Sequence, residues 1–400
     1  MNCMKKRLLI TAIVSFLFTS LVKAQEEFIE PPAKLLTRFP FTQLTGGVII
    51  IRATLEDFPD TLNFILDSGS SGISLDSGTV SFLKMVPEAS DKTIRGIAGI
   101  KKVGFLYKKK LNFPGLTIDT LNFHVNDYSI LTTVYGEQID GIIGYSVFSR
   151  YIVKIDYDSL KLEFWSRGTI RYPRGGFLFK PILSTLPVQF ARVKDGTTHT
   201  ARFLHDIGAG VCLMLSKDFA EDSAVLQKKR KLWAKEGEGV GGTIDMHLTV
   251  VKELKLGPYR FRNVPTYIFE DIYNVTSYPY LGGLIGNDLL RRFNTIINYE
   301  KKDIYLVPNS HYRDQFDYSY SGIELYFIGG QIEIGDVAKG SPAEAAGLKE
   351  RDVVIAINNN FTQSLNQYKI ALQSANEKIK IIIRRDGELK QIEFKVKNIL

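Results

Sequence analysis

The stretches Phe64-Ile65-Leu66-Asp67-Ser68-Gly69 and Phe203-Leu204-His205-Asp206-Ile207-Gly208 are two copies of one pattern, an apolar run followed by Asp-x-Gly. A short apolar run predicts a buried strand, and Asp with Gly directly after it predicts a tight turn. A single Asp-x-Gly is a common turn and says little about function. Its recurrence within one chain is what needs an explanation.

Further landmarks repeat in the same order after each Asp. A glycine-rich turn begins 29 residues after Asp67 and 33 after Asp206, and an apolar-apolar-Gly triplet ends 77 and 80 residues after them. A tyrosine follows each triplet by 13 residues, at Tyr157 and Tyr299. Matching landmarks at nearly equal spacing indicate an internal duplication.

A duplicated lobe creates a pseudo-twofold axis, so Asp67 and Asp206 are expected to face each other across it. Two carboxyl groups at ~3 Å cannot both ionise, and one proton is shared between them. The ionised carboxylate can then accept a proton from water while the other carboxyl protonates a carbonyl oxygen. This chemistry hydrolyses amides, and we expect neither a cofactor nor a metal.

Together with Ile142-Ile143-Gly144 and Leu284-Ile285-Gly286, the two motifs resemble those of the pepsin and retropepsin-like aspartic proteases, over roughly residues 40–308. The resemblance implies a polypeptide substrate in a cleft between two lobes, with Asp67 and Asp206 as the catalytic residues. It also implies residues that support this dyad, namely Ser68, Gly69, Ser70 and Gly208.

The same family covers its substrate with a β-hairpin flap. By position, the flap tip is expected at Gly96, Ile97, Ala98 and Gly99, and the turn at residues 239–242 is its pseudo-symmetric partner. The glycines are also compatible with ordinary hairpin turns.

The second motif departs from the family pattern. The family places Thr or Ser after the Asp to brace the dyad across the axis; Ser68 can do so and Ile207 cannot. Ser70 could donate a hydrogen bond to Asp67, whereas the matching Ala209 offers no donor. We therefore expect Asp67 to be the ionised partner and Asp206 the protonated one. Weak activity or none is the alternative that Ile207 leaves open.

The C-terminal segment resembles a bacterial PDZ domain through Gly322-Ile323-Glu324-Leu325 and residues 340–348. Such domains add a peptide strand to a sheet edge beside a helix, here expected within residues 364–373. The resemblance implies that Gly322, Ile323, Glu324 and Leu325 receive the carboxylate of a peptide C-terminus. A PDZ fold used only for packing is the other possibility.

The N-terminus predicts export. Lys5-Lys6-Arg7 precede an apolar run that ends near Ala24, as in a secretory signal peptide. The run is too short to span a membrane, and no lipidation cysteine follows it, so we expect a periplasmic or secreted protein. Without residues 1–24 the net charge falls from +8 to about +4, which makes a nucleic-acid partner unexpected.

The predicted fold class is mainly β, a bilobal acid-protease β-barrel fold followed by a small PDZ domain with two short helices. Short helices are also expected at residues 216–235 and 287–292. The predicted division is a signal peptide (1–24), an N-terminal lobe (25–170), a C-terminal lobe (171–308), a linker (309–321) and the PDZ domain (322–400).

Two other hydrolase classes fit poorly. Asp67-Ser68-Gly69 superficially resembles the nucleophile motif of trypsin-like proteases, but their catalytic His precedes the Ser and the first His here is His124. The five histidines contain no His-Glu-x-x-His pair for zinc. A competitor from another class stays open: a catalytically weak or inactive peptide-binding protein that uses the protease cleft and the PDZ groove.

Overall fold

The computed structural model describes residues 30–400, so the predicted signal peptide lies outside the described residues. Strands predominate, and within residues 30–400 no helix has the length and apolar character needed to cross a membrane. The predicted fold class is confirmed: two β-barrels are followed by a smaller β domain with two short helices.

Residues 30–165 form twelve strands, three α-helices and one 3-10 helix. In chain order these are β1 (Leu35–Pro40), β2 (Thr42–Gln43), the 3-10 helix Thr45–Gly47, β3 (Ile49–Leu55), β4 (Thr61–Leu66), β5 (Ile73–Asp76), α1 (Ser77–Phe82), β6 (Thr93–Gly96), β7 (Gly99–Lys102), β8 (Gly104–Phe113), β9 (Leu116–Asn126), α2 (Ser129–Tyr135), β10 (Gly141–Ile143), α3 (Tyr145–Phe148), β11 (Ile152–Asp156) and β12 (Lys161–Trp165).

The second half repeats this arrangement with eleven strands and two α-helices. They are β13 (Phe177–Phe179), β14 (Ile182–Leu183), β15 (Pro187–Lys194), β16 (Thr198–Asp206), β17 (Leu213–Ser216), α4 (Lys217–Asp222), β18 (Trp233–Gly239), β19 (Gly242–Leu256), β20 (Tyr259–Phe269), β21 (Gly283–Gly286), α5 (Asn287–Leu290), β22 (Phe293–Asn298) and β23 (Asp303–Pro308).

The remaining residues form a 3-10 helix and the C-terminal domain. The elements are the 3-10 helix Ser310–Arg313, β24 (Ser319–Tyr320), β25 (Ile323–Ile328), β26 (Gln331–Val337), α6 (Pro342–Ala345), β27 (Val353–Ile357), α7 (Leu365–Ala371), β28 (Lys378–Arg385), β29 (Glu388–Lys395) and β30 (Lys397–Asn398).

Each lobe is a closed barrel of six strands with the same connectivity. In the first lobe the order is β3-β4-β10-β5-β9-β8, closed by β3 pairing with β8. In the second it is β15-β16-β21-β17-β20-β19, closed by β15 pairing with β19. In both, the strand carrying the apolar-apolar-Gly triplet runs parallel to the strand that leads into the Asp. The duplication read from the sequence is therefore a duplication of structure.

A six-stranded sheet joins the lobes, with three strands from each, in the order β1-β12-β11-β22-β23-β13. Its central pair, β11 with β22, is antiparallel and sets Val153 opposite Ile297. One apolar core runs through both barrels and this sheet, whereas the C-terminal domain has a core of its own.

The C-terminal domain is a five-stranded sheet, β25-β26-β27-β28-β29, with α6 and α7. Ser341 caps α6, because its side chain accepts a hydrogen bond from the amide of Glu344. Asp386 and Gly387 form a turn with positive φ angles between β28 and β29. The predicted second helix is α7.

The expectation of a helix through residues 216–235 is wrong beyond its first part. α4 ends at Asp222, and Ala224 takes a left-handed backbone with φ of 47°. From Trp233 the chain is a strand paired with β19. Two glycines in β18, Gly237 and Gly239, disfavour helix there. The predicted domain boundaries stay predictions.

The repeated tyrosines reach across to the opposite lobe. The hydroxyl of Tyr157 donates to Oδ1 of Asn287 at 2.8 Å, and the Nδ2 of the fully buried Asn287 donates to the carbonyl of Gly47. Tyr299 stacks edge-on against Tyr145 at 5.5 Å between ring centroids. Each tyrosine thus contacts the residue that follows the other lobe's triplet.

We expect Tyr157→Phe to lower the free energy of unfolding by about 1–3 kcal/mol, because Asn287 Oδ1 is left buried without its donor. The ring, which packs against Phe41, is retained. Urea denaturation measures the change, and Tyr107→Phe is the control, since the Tyr107 ring is exposed. Equal losses in the two variants would contradict this role for the Tyr157 hydroxyl.

Candidate active site

The two aspartates lie side by side where the lobes meet. Asp67 directly follows β4 and Asp206 ends β16, the equivalent strand. A Cβ atom added to Gly69 would lie 2.6 Å from Oδ2 of Asp206, and one added to Gly208 would lie 2.4 Å from Cγ of Asp67. Any side chain at either glycine would therefore displace the opposite carboxyl group. The glycines are needed for the two carboxyl groups to approach.

The triplets hold the Asp loops from below in matching fashion. The amide of Tyr145 donates to the carbonyl of Ser70 at 3.0 Å, and the amide of Asn287 donates to the carbonyl of Ala209 at 2.7 Å. Donor and acceptor occupy equivalent positions in the two lobes. The backbone of each Asp loop is therefore fixed by the same bond.

Ser68 spans the pseudo-twofold axis. Its hydroxyl donates to the carbonyl of His205 at 2.6 Å and accepts from the amide of Ile207 at 3.1 Å. Ser68 and Ile207 are each 1% exposed. Ile207 supplies no hydroxyl and instead packs in the shared apolar core. One half of the family's symmetric brace is present and the other half is replaced by apolar packing.

The dyad's hydrogen bonds favour the opposite charge assignment from the one expected from sequence. Oδ1 of Asp206 accepts the amides of Gly208 at 2.9 Å and Ala209 at 3.1 Å, whereas Oδ1 of Asp67 accepts that of Gly69 at 2.6 Å. Burial and then the charge of Asp206 raise the pKa of Asp67 well above its usual range. Burial also raises the pKa of Asp206, but a hydrogen bond from Asp67 and the two amides oppose it.

The reason for the reversal is the position of Ser70. Within residues 30–400 its hydroxyl makes no hydrogen bond to Asp67, and its amide lies 3.4 Å from the Asp67 carbonyl oxygen. Without that donor, Oδ1 of Asp206 accepts more amide hydrogen bonds than Oδ1 of Asp67 does. These bonds favour the shared proton on Asp67 and the negative charge on Asp206.

Two hairpins form a roof over the dyad. β6 and β7 pair with Gly96 opposite Gly99, which makes residues 96–99 a hairpin tip; β18 and β19 form the second hairpin, with its tip at residues 239–242. The tips touch, since the amide of Ala98 donates to the carbonyl of Val240 at 3.3 Å. A Cβ atom on Gly96 would lie 1.9 Å from that carbonyl oxygen. The predicted flap is thus one of a contacting pair.

Each tip packs against apolar residues of the opposite lobe. Ile97, from the first lobe, contacts the second-lobe cluster of Met214, Met246 and Phe269. Val240, from the second lobe, packs on a first-lobe cluster that includes Leu44, Val48, Ile50, Ile65, Tyr128, Leu131, Ile139 and Ile142. Both lobes therefore hold the roof closed.

A cavity of about 1180 Å³ lies between the dyad and the roof. Its walls include residues that sequence reasoning did not single out, Tyr135, Glu238 and Lys369. They come from the first lobe, the second lobe and the C-terminal domain, and no local motif marks them. Gly322, Ile323, Glu324 and Leu325 line the same cavity.

The C-terminal domain is docked directly beside the cleft. α2 packs against β25. Lys369 on α7 donates to the carbonyl of Val134 at 2.6 Å, and the hydroxyl of Thr45 lies 2.6 Å from Oδ1 of Asn366. One side of the cavity is therefore formed by this domain. Among residues 30–400, no group of three or more His, Cys, Asp or Glu side chains is placed to hold a metal ion.

Comparisons with known proteins match this architecture. A family model described as aspartyl protease matches residues 51–147 and 191–289, and one described as PDZ domain matches residues 333–385. The PDZ match begins after the residues expected to bind a carboxylate, 322–325.

Curated relatives match over a short stretch. They are named probable periplasmic serine endoprotease DegP-like; the protein from Chlamydia pneumoniae is 41% identical over 63 residues, and that from Chlamydia muridarum 37% over 68 residues. The matches cover 16% of this chain and 13% and 14% of those relatives.

Substitutions at Ile207 test the missing half of the brace. By symmetry with Ser68, a hydroxyl at position 207 would face the amide of Ser68 and the carbonyl of Leu66. Ile207→Val removes one methylene and should cost about 0.5–1.5 kcal/mol. The side chain of Thr has the same shape as that of Val. We expect the free energy of unfolding of the Ile207→Thr variant to be about 0.5–1.5 kcal/mol higher than that of the Ile207→Val variant, because of the new hydrogen bond.

Thermal and urea denaturation of the two variants give the comparison. A Thr variant less stable than the Val variant by about 1–3 kcal/mol would mean that the hydroxyl is buried without a partner. The lobe would then have lost the capacity for a symmetric brace.

Proposed function

Because the chain carries an aspartyl protease domain in two segments followed by a PDZ domain, we propose that this peptidase is an exported aspartic endopeptidase. The observation that supports the proposal is the approach of Asp67 and Asp206 under a roof contributed by both lobes. Its substrate would be an extended polypeptide in the inter-lobe cavity, with no cofactor.

In the proposed reaction Asp206, the ionised partner, accepts a proton from a water molecule that attacks the scissile carbonyl carbon. Asp67 donates its proton to the carbonyl oxygen, which gives a neutral tetrahedral diol. Asp206 then passes the proton it took to the departing amine, and Asp67 recovers its proton from the diol as the carbonyl re-forms. The dyad returns to its starting state with one proton.

A serine mechanism is the natural rival, since the relatives are named serine endoproteases. Their match, however, is about as long as the PDZ segment and small against either chain. Ser68, the serine of Asp67-Ser68-Gly69, is buried and its hydroxyl donates to a backbone carbonyl. A serine nucleophile needs a base that takes its proton, and the hydroxyl of Ser68 contacts no histidine ring nitrogen in the described chain. The aspartic mechanism is therefore the better supported.

Export is proposed on two grounds. The N-terminal residues 1–24 have the pattern of a secretory signal peptide, and the matching relatives are named periplasmic. Both support a periplasmic or secreted protein. Digestion of polypeptides in that compartment would be the role of the cavity.

A catalytically weak or inactive peptide-binding protein is the second candidate, and the apolar Ile207 favours it. A dyad braced on one side only can move more freely. Such a protein would keep the cavity and the roof but turn over substrate slowly.

The dyad is tested by Asp67→Asn and Asp206→Asn. Each should lower kcat on an unfolded polypeptide by at least about 10²-fold, because either the acid or the base is lost. The double variant should be no worse than the single ones. Near-normal turnover in either single variant would remove that residue from the mechanism, and melting curves control for folding.

The raised pKa values of the two aspartates predict how the activity depends on pH, and the same assay measures it. The raised pKa of Asp67 keeps the shared proton at acidic pH; activity should fall as pH rises through that value and the proton is lost. It should also fall at the acid end, where Asp206 becomes protonated. A statine-type transition-state mimic should inhibit, and a serine-directed reagent should not. The reverse inhibitor pattern would support the serine rival.

The PDZ domain is proposed to receive a peptide C-terminus at Gly322, Ile323, Glu324 and Leu325. These residues line the cavity that holds the dyad, so a bound terminus and the scissile bond would lie in one continuous space. Backbone amides at the start of an edge strand are the usual receptors for such a carboxylate.

A peptide with a free C-terminal carboxylate should therefore have a KM several-fold lower than the same peptide with a C-terminal amide, at similar kcat. Initial rates on the matched pair give both constants. Equal KM values would show that the domain does not bind the C-terminal carboxylate of the peptide.

A further inference from the structure

A tyrosine of the C-terminal domain contacts the second roof hairpin. Tyr326, on β25, is 7% exposed, and its hydroxyl lies 3.0 Å from Oε1 of Glu236 and is also hydrogen-bonded to Oε1 of Glu238. Both glutamates belong to β18 and are two residues apart, so their side chains point to the same side of the strand. One phenol therefore joins two carboxyl groups of the hairpin.

The number of protons at this contact is limited. A phenol has one proton and can donate it to one carboxylate at a time. When both glutamates are ionised, the second carboxylate faces a phenol oxygen with no proton to share and a like charge beside it. Both carboxyl groups can be hydrogen-bonded to the phenol only when one glutamate is protonated and donates its proton to the phenol oxygen.

The surroundings neutralise the extra charge only in part. Lys235 and Lys369 oppose the rise in the pKa of Glu238, but Lys235 pairs with Glu324 and Lys369 is bonded to the carbonyl of Val134. The charged groups around the contact are Lys235, Glu236 and Glu238 on β18, Asp245 on β19, Glu324 on β25, Asp336 on β26 and Lys369 on α7.

Protonation of this contact is favourable near neutrality. Burial, followed by the charge of Glu324, raises the pKa of Glu238 to about 7. Burial also raises the pKa of Glu236. A carboxyl group whose pKa is higher in the closed form stabilises that form fully below its ordinary pKa, and the stabilisation is lost as pH rises through the raised value.

The contact is coupled to the roof through β18 itself. Glu238 is followed directly by the hairpin tip at residues 239–242. That tip accepts the hydrogen bond of the first hairpin at the Val240 carbonyl and packs on the first lobe. A displacement of β18 would therefore separate the tips of the two hairpins.

We propose that Tyr326 is a positioning residue for the active-site roof: its phenol holds the second hairpin closed through Glu236 and Glu238, and the hold is released when both glutamates are ionised. The C-terminal domain is then part of the closure of the cavity, beyond any binding of a peptide. The consequence for catalysis rests on the proposed function, whereas the closure itself does not.

Amide hydrogen exchange of the full chain, corrected for the intrinsic rate at each pH, tests the closure without any substrate. In the wild type, exchange in residues 233–248 should rise several-fold from pH 5 to pH 8. Tyr326→Phe should already show the fast exchange at pH 5. Glu238→Gln should stay slow at pH 8, because the neutral amide can donate from its NH2 group to the phenol oxygen while the phenol donates to Glu236.

Tyr318→Phe is the matched control. The Tyr318 hydroxyl donates to the carbonyl of Asn263 on β20 at 2.7 Å, outside the hairpin, so this variant should exchange as the wild type does. Unchanged protection of residues 233–248 in Tyr326→Phe at pH 5, or protection that does not depend on pH in the wild type, would overturn the proposal.

Kinetics provide the second readout. Tyr326→Phe should raise KM several-fold at pH 5 with a smaller effect on kcat. Glu238→Gln should remove the rise in KM between pH 5 and pH 8 and leave unchanged the fall in kcat that Asp67 sets. Asp67→Asn should abolish turnover yet show wild-type exchange. Absence of turnover in the wild type with the expected exchange pattern would refute the proposed function alone, whereas turnover with unaltered exchange in Tyr326→Phe would refute this inference alone.

Discussion

The close approach of two carboxyl groups at the pseudo-twofold axis is the constraint on which the rest of this structure depends. Asp67 and Asp206 can share that space only because Gly69 and Gly208 leave room and one proton reduces their repulsion. The loops must then be held rigidly, which the backbone bonds from Tyr145 and Asn287 do in the two lobes. The six-stranded sheet and the shared core keep the two halves in register.

The two lobes differ at this axis in the residues that influence which carboxyl group holds the shared proton. Ser68 braces one side, and Ile207 fills the other with apolar packing. Oδ1 of Asp206 accepts two close amides and Oδ1 of Asp67 accepts one. A perfectly symmetric dyad would have no preferred site for its proton, so these differences favour the proton on Asp67, the proposed acid, and the charge on Asp206, the proposed base. The duplication supplied the pair of carboxyl groups, and divergence between the copies distinguishes them.

The C-terminal domain forms part of the cleft. In sequence it is a separate module after the second lobe, but it borders the cavity through α7 and contacts the second roof hairpin through Tyr326. Lys369 and Glu238 are half-buried at this junction because three parts of the chain pack together there. Opening and closing of the roof would therefore involve all three.

The amino-acid sequence by itself determined the duplication, the β-barrel class, the two aspartates and the hairpin tips, because each depends on local signals: apolar runs, Asp-x-Gly turns and spacing between landmarks. The sequence also marked the missing hydroxyl at Ile207. Only the tertiary structure shows the hydrogen bonds that favour one carboxyl group for the proton, since Ser70 has the right spacing but its hydroxyl makes no bond to Asp67. Pairing of β18 with β19 likewise decided that the chain from Trp233 is a strand. The contact of Tyr326 with Glu238 joins residues 88 positions apart, and no local pattern encodes such a distance.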